Sequence, residues 1–274
     1  MKKILPLFLL LLAGCGPQQP AQETACTVYP AGLSVEVNDA SMTLSWKKMG
    51  KGSISGYNIY ISREPLVAKY PDTIIASTVE TYNVTPFPGD TNPEDGIEYF
   101  DAAKLENGVK YFVSVRVVYP DRSVSKPSNE VVAVCGPRGE IELAIRFNGE
   151  HDGFSFEENQ YVNADGISND LYFFSKDGFD YLASPKRLDG FINDTRFQVL
   201  PYSGSYADVA GKAMMDAPSA VDDQVVIAVD NWVLLKCASG KYALVKVLGF
   251  SGAGTDRSVK LSYAYSTLVG EIFF

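Results

Sequence analysis

The sequence predicts an all-β protein built as two β-sandwich units in series. Period-two alternation of apolar and polar residues recurs from Leu33 to Tyr265, which is the mark of strands with one buried face. Tyr (16), Phe (15) and Gly (23) are abundant, as half-buried strands and frequent turns require. Hydrophobic residues make up 46% and charged residues 21% of the 274, enough apolar material for two cores. The formal net charge of −9 argues against nucleic acid as a partner, because phosphate binding needs clustered positive charge. A single histidine, His151, excludes most His-rich zinc sites and makes a Ser/His/Asp triad depend on that one residue.

In chain order, Met1-Lys2-Lys3 is a short positive stretch and Ile4 to Leu12 an apolar one, followed by Leu12-Ala13-Gly14-Cys15. The apolar run is shorter than the roughly 20 residues a spanning helix needs. These residues resemble a bacterial lipoprotein signal, residues 1–14, with the lipobox ending in Cys15. The resemblance implies cleavage before Cys15, acylation of its thiol and amino group, and a partner in the lipid membrane. Gly16 rather than Asp after the Cys implies the outer membrane if the source is Gram-negative, and otherwise a lipid-anchored place in the cell envelope. Loss of Lys2 and Lys3 leaves the mature chain still more acidic, so acyl chains and not charge must hold it to anionic lipid. Residues 15–26 are then the lipidated Cys and a flexible tether, since Gly16 to Gln22 has no apolar periodicity.

Residues 27–135 form the first unit. Leu33, Val35 and Val37, then Met42, Leu44 and Trp46, then Tyr57, Ile59 and Ile61 alternate with polar neighbours, with Asn38-Asp39 as a turn. Leu105-Glu106-Asn107-Gly108-Val109-Lys110-Tyr111 leads into Val113, Val115 and Val117, a tyrosine-corner pattern. With Trp46, Gly56-Tyr57 and Lys126-Pro127-Ser128-Asn129 before the last strand, this unit resembles a fibronectin type III domain. The resemblance implies an immunoglobulin-like sandwich acting as a spacer or binding module. The connection from Pro65 to Gly96 is long for that family, with room for extra strands at Thr73–Thr78 and Thr81–Thr85.

Residues 136–274 form a second β-rich unit, a sandwich or flattened barrel of eight or more short strands. Ile141 to Phe147, Leu171–Phe174, Val225–Val229, Trp232–Lys236, Tyr242–Val247 and Leu261 to Tyr265 read as strands, and Tyr206–Met215 as one short helix. Asp152-Gly153, Asp177-Gly178 and Asp189-Gly190 are turn signals. The runs Gly153-Phe154-x-Phe156, Asp170 to Phe173, Gly240 to Val247 and Ser262-Tyr263-x-Tyr265 resemble the β-rich domains of secreted all-β lipoproteins of the Bacteroidetes haemophore type. That resemblance bears on architecture, since the haem-ligating pair of histidines has no counterpart here.

Candidate sites follow from residue chemistry. Tyr161, Tyr181, Tyr202 and Tyr206 lie beside polar neighbours, as aromatic platforms for sugar rings do. Asp165, Asn169 and Asp170 surround Gly166 in a loop of oxygen ligands that would suit calcium, although EF-hand spacing is absent and an ordinary turn explains them as well. No other cofactor is expected. With Cys15 lipidated, Cys26, Cys135 and Cys237 leave one pair and one thiol, and Cys26–Cys135 is the favoured pair; its long loop would stabilise by roughly 4–5 kcal/mol. Adjacent carboxylates Glu157-Glu158 and Asp222-Asp223 point to opposite faces of a strand and make no acid/base dyad, and no motif joins Cys237 to His151. The expected function is non-catalytic binding of carbohydrate or an envelope protein. The alternatives are a structural or assembly lipoprotein and a glycoside hydrolase or its accessory subunit.

Overall fold

The structure is a computed structural model, and it describes residues 29–49, 54–90, 95–149, 151–204 and 206–274 except 217–219, with backbone alone at 206, 207 and 214–216. The signal residues, Cys15 and Cys26 lie outside the described residues. Among the described residues no helix is long and apolar enough to cross a membrane.

The first unit is a sandwich of two three-stranded antiparallel sheets. One joins β1 (Ser34–Asn38), β2 (Ser41–Lys47) and β4 (Ile97–Ala103); the other joins β3 (Gly56–Ser62), β5 (Lys110–Val118) and β6 (Val131–Val134). The alternation of β2 turns Met42, Leu44 and Trp46 inward to meet Tyr57, Ile59, Val113, Val115 and Val117. The Trp46 indole meets the Tyr57 ring edge-on at 5.2 Å. The tyrosine corner forms as its residues predict: the Tyr111 hydroxyl accepts a hydrogen bond from the Glu106 N–H at 3.0 Å.

The long connection contains neither extra strand. Residues 82–87 instead run along the free edge of β3 and cap it with a side chain. Asn83 Oδ1 accepts from Ile59 N–H (2.7 Å), and its Nδ2 donates to the Tyr57 carbonyl (2.8 Å), so one amide side chain supplies the bonds of a ladder rung. Phe87 and Tyr57 then exchange backbone bonds at 2.8 Å each. Pro86 and Pro88 lack the N–H groups a continuous strand would need, so the pairing along this edge stays local. Gly56 (φ +142°) is required at this edge, because a Cβ there would lie 2.5 Å from the Phe87 carbonyl oxygen. Deeper in the same connection, the fully buried Arg116 on β5 donates to the carbonyls of Ser125 (2.9 Å), Tyr70 and Asp72.

The second unit packs two five-stranded sheets face to face. The first runs β13 (Gln224–Ile227), β11 (Phe179–Ala183), β10 (Leu171–Lys176), β8 (Gly153–Ser155), β9 (Gln160–Val162). The second runs β12 (Arg196–Leu200), β14 (Trp232–Lys236), β15 (Tyr242–Ser251), β16 (Ser258–Ser266), β7 (Arg138–Ala144). The sheets do not close on each other, so the architecture is a sandwich and not a flattened barrel. Phe154, Phe156, Phe173, Phe197, Val233, Val245 and Leu261 fill the space between them. Helix α1 (Tyr206–Asp216) lies on the outer face of the second sheet, where Val209, Ala210 and Ala213 cover Trp232, Leu234 and Leu244. Asp177-Gly178 makes the two-residue turn between β10 and β11, both residues at positive φ. At Asp152-Gly153 the chain bends at Asp152 and Gly153 opens β8, where a Cβ would meet Asn169 Oδ1 at 2.7 Å.

A candidate binding pocket on the outer face of the second unit

The strand period decides which aromatics are available. In β10, Leu171 and Phe173 point into the core, so Tyr172, Phe174 and Lys176 project from the outer face. The β10–β11 register sets Phe174 directly opposite Tyr181, and their rings stack at 4.7 Å and 9°. The β11–β13 register sets Gln224 opposite Ala183 on the same face. Beyond β7, Ile145 bridges to Phe173, and Arg146 N–H donates to the Phe173 carbonyl at 2.8 Å. That single contact delivers the Arg146 guanidinium over the outward rings: 5.0 Å from the Phe174 centroid, 5.6 Å from Tyr172 and 5.5 Å from Phe147. A short 3-10 turn, Pro185–Arg187, brings in Arg187, which pairs with Asp223 at 2.6 Å.

The result is an open pocket of about 260 Å³ with Arg146, Tyr181, Arg187 and Gln224 among its walls and Lys176 and Asp177 at its rim. Among the described residues neither Arg146 nor Lys176 has a carboxylate partner. In an acidic chain this is a local concentration of positive charge. It is a cation-capped aromatic cluster and not a bare row of rings, because Arg146 lies over Phe174 and Tyr172, which are themselves buried.

Of the four tyrosines predicted from the sequence, Tyr181 alone lines this pocket. Tyr161 is used structurally: His151 stacks on it at 4.2 Å, and its hydroxyl accepts from the Glu142 N–H at 2.9 Å. Tyr202 packs on the helix cluster beneath the Lys212 ammonium, 5.3 Å from its ring. Tyr206 opens α1, and its side chain lies outside the described residues. Arg146 escaped the sequence reading because nothing in Ile145-Arg146-Phe147 marks it; the bridge that positions it spans 28 residues of chain.

The expected calcium loop is a brace. Asp165 is exposed, whereas Asn169 and Asp170 turn inward to backbone groups. Asn169 Oδ1 accepts from Phe154 N–H (2.9 Å) and Leu171 N–H (3.2 Å), and its Nδ2 donates to the Ala164 carbonyl (2.9 Å). Asp170 Oδ2 accepts from Phe156 N–H at 2.8 Å. Asp152, foreseen only as part of a turn, accepts from Phe147 N–H (2.6 Å) and Ala164 N–H (2.7 Å). These oxygens serve N–H donors, and the described residues hold no cluster of three His, Cys, Asp or Glu side chains fit for a metal.

Asp170 meets the thiol of the buried Cys237, and burial pushes its carboxyl up to about 6. Burial, with the Asp170 carboxylate beside it, raises the Cys237 thiol well above its ordinary range, so this cysteine is a poor nucleophile. Burial also pushes Glu157 up, but the Lys241 ammonium at 2.6 Å and the Tyr265 hydroxyl at 2.7 Å outweigh it and hold the carboxyl low. Cys26, the expected disulfide partner of Cys135, lies outside the described residues; Cys135 is a buried thiol, raised by that burial, which donates to the Ser41 carbonyl at 3.2 Å.

A model of the fibronectin type III domain matches residues 28–134. No curated protein matches the sequence. Among solved structures, the twitchin kinase region from C. elegans is similar at 12% identity, with a TM-score of 0.27, over 86% of this chain and 38% of that one. This chain therefore spans well under half the length of that neighbour. The two three-stranded sheets, the tyrosine corner and the matched span agree, and residues 28–134 are a fibronectin type III domain.

Proposed function

We propose that this chain is a cell-envelope lipoprotein, anchored through acylated Cys15, whose second unit binds carbohydrate without catalysis. The fibronectin type III domain fits a spacer or binding role. The observation that carries the reading is the outer-face pocket: the Tyr181 ring, an amide, a carboxylate and guanidinium donors converge on a rigid sheet, as recognition of a polyhydroxylated ligand requires. Three carboxylates from the adjacent acidic pairs and the acidic loop are engaged in the fold. Glu157 is held by Lys241, Asp223 by Arg187, and Asp170 is buried on a backbone N–H.

The test has two parts. Labelled palmitate should enter the full-length protein in its native host and be lost in Cys15→Ala. The detergent-purified lipoprotein should retain members of a panel of neutral and acidic oligosaccharides, with the signal weakened by Tyr181→Ala. Failure to retain any glycan would overturn the carbohydrate reading. The second reading, docking of an envelope protein, is favoured by one observation: Ile167 (91% exposed) and Ile192 (87% exposed) protrude together around an apolar notch of about 210 Å³.

A further inference from the structure

We infer that the outer-face pocket selects acidic saccharides, reading a sugar carboxylate with Arg146 and Lys176. The inference rests on the carbohydrate reading above and narrows it to a ligand class. Three cationic side chains, Arg146, Lys176 and Arg187, meet at one opening of a chain whose net charge is −9. Arg187 is already neutralised by Asp223, while Arg146 and Lys176 face the opening unpaired among the described residues. Arg146 does not swing freely. Its half-buried guanidinium rests on the Phe174, Tyr172 and Phe147 rings, and its backbone is tied to Phe173, so its planar fork is held in place before any ligand arrives. A preorganised guanidinium fork matches a carboxylate with two parallel bonds and loses little entropy in doing so.

The remaining walls distinguish a sugar acid from a bare anion. Asp177 at the β10–β11 turn offers a carboxylate, and Gln224 and Tyr181 offer an amide and a phenol. A carboxylate in the wall repels a dense polyanion such as polyphosphate, but accepts hydrogen bonds from hydroxyl groups. The pocket volume, about 260 Å³, falls just below the usual small-molecule range and suits one terminal ring of a chain rather than a long groove. One monoanionic, hydroxyl-rich ring is the ligand that satisfies both signs of charge.

The experiment is calorimetric titration of the detergent-solubilised full-length lipoprotein with tri-galacturonate, its trimethyl ester, a neutral galactose trisaccharide and inorganic phosphate. Tri-galacturonate is expected to bind at least tenfold more tightly than the ester or the neutral trisaccharide, and its affinity to fall with added salt. Arg146→Met keeps an apolar chain over the Phe174 ring and should weaken tri-galacturonate at least tenfold. Lys176→Met, at an exposed site, should weaken it severalfold with an unchanged melting temperature, which separates lost recognition from lost folding. Equal binding of acid and ester, or binding indifferent to both variants, overturns the inference while leaving the carbohydrate reading intact. Phosphate binding as tight as tri-galacturonate overturns it in favour of a bare anion. No binding of any saccharide removes both.

Discussion

Replacing Asp170 by Asn should stabilise the protein at neutral pH. Asp170 is 8% exposed, packed between the Phe156 N–H and the Cys237 thiol, and its carboxyl is pushed from 3.8 up to about 6 by burial, with Glu157 and Glu158 adding to the rise. The folded state therefore holds a proton that the unfolded chain releases between about pH 4 and 6. Stability falls as pH rises through that window, and the penalty is fully present above it. A rise of about two pH units corresponds to roughly 3 kcal/mol, the most that neutralising the group can return. Asn keeps an acceptor for the Phe156 N–H and brings no charge, though its amide fits the Cys237 thiol less well, so a gain of about 1–3 kcal/mol is expected at pH 7.5 and little at pH 4. Urea unfolding of both proteins at pH 4, 5, 6 and 7.5 reads this directly. The wild type should lose stability relative to Asp170→Asn across that series. A variant less stable than wild type at pH 7.5 would refute the reasoning, because it would mean that the ionised carboxylate is a net stabilising acceptor.

Asn169→Ala removes all three backbone bonds of a fully buried amide and should cost about 3 kcal/mol or more, measured by thermal unfolding at constant pH. Arg116→Met keeps the aliphatic stem but orphans the carbonyls of Tyr70, Asp72 and Ser125; limited proteolysis should cut within 63–81 faster, with a stability loss of at least about 2 kcal/mol. Tyr111→Phe strips the tyrosine corner of its one bond to Glu106 N–H and should cost about 1 kcal/mol in denaturant melts. Lys110→Met breaks an ion pair with Glu271 between two half-exposed side chains and should shift stability by no more than about 0.5 kcal/mol.

The first unit was legible in the sequence because its information is local. Met42, Leu44 and Trp46 alternate with Ser and Thr, and β2 forms at Ser41–Lys47. Leu105 to Tyr111 predicts a hydroxyl-to-backbone bond upstream of Tyr111, and it is found at the Glu106 N–H. In the second unit, β14 coincides with the apolar run Trp232–Lys236, and α1 coincides with the expected helix Tyr206–Met215 to within one residue. β8 and β9, of three residues each, are too short to show a period. β11 and β12, of five residues each, are likewise too short to establish a period.

What the sequence could not contain was the use of each polar side chain. Asp165, Asn169 and Asp170 have the composition of a cation loop, but packing turns two of them onto backbone N–H groups that sequence alone leaves unlocated. The 73–85 stretch has room for extra strands, yet Asn83 occupies the β3 edge with an amide side chain instead. The residues favour Tyr161 and Tyr181 over Tyr202 and Tyr206 without separating the first two; cross-strand register singles out Tyr181, because it stands opposite Phe174 on the face that Arg146 covers. Alternation along the chain is a one-dimensional property and fixes which residues share a face. The partner of a charge or an amide is chosen by strands far apart in the chain that meet only after folding, so the fold could be read from the residues and the pocket had to be read from the structure.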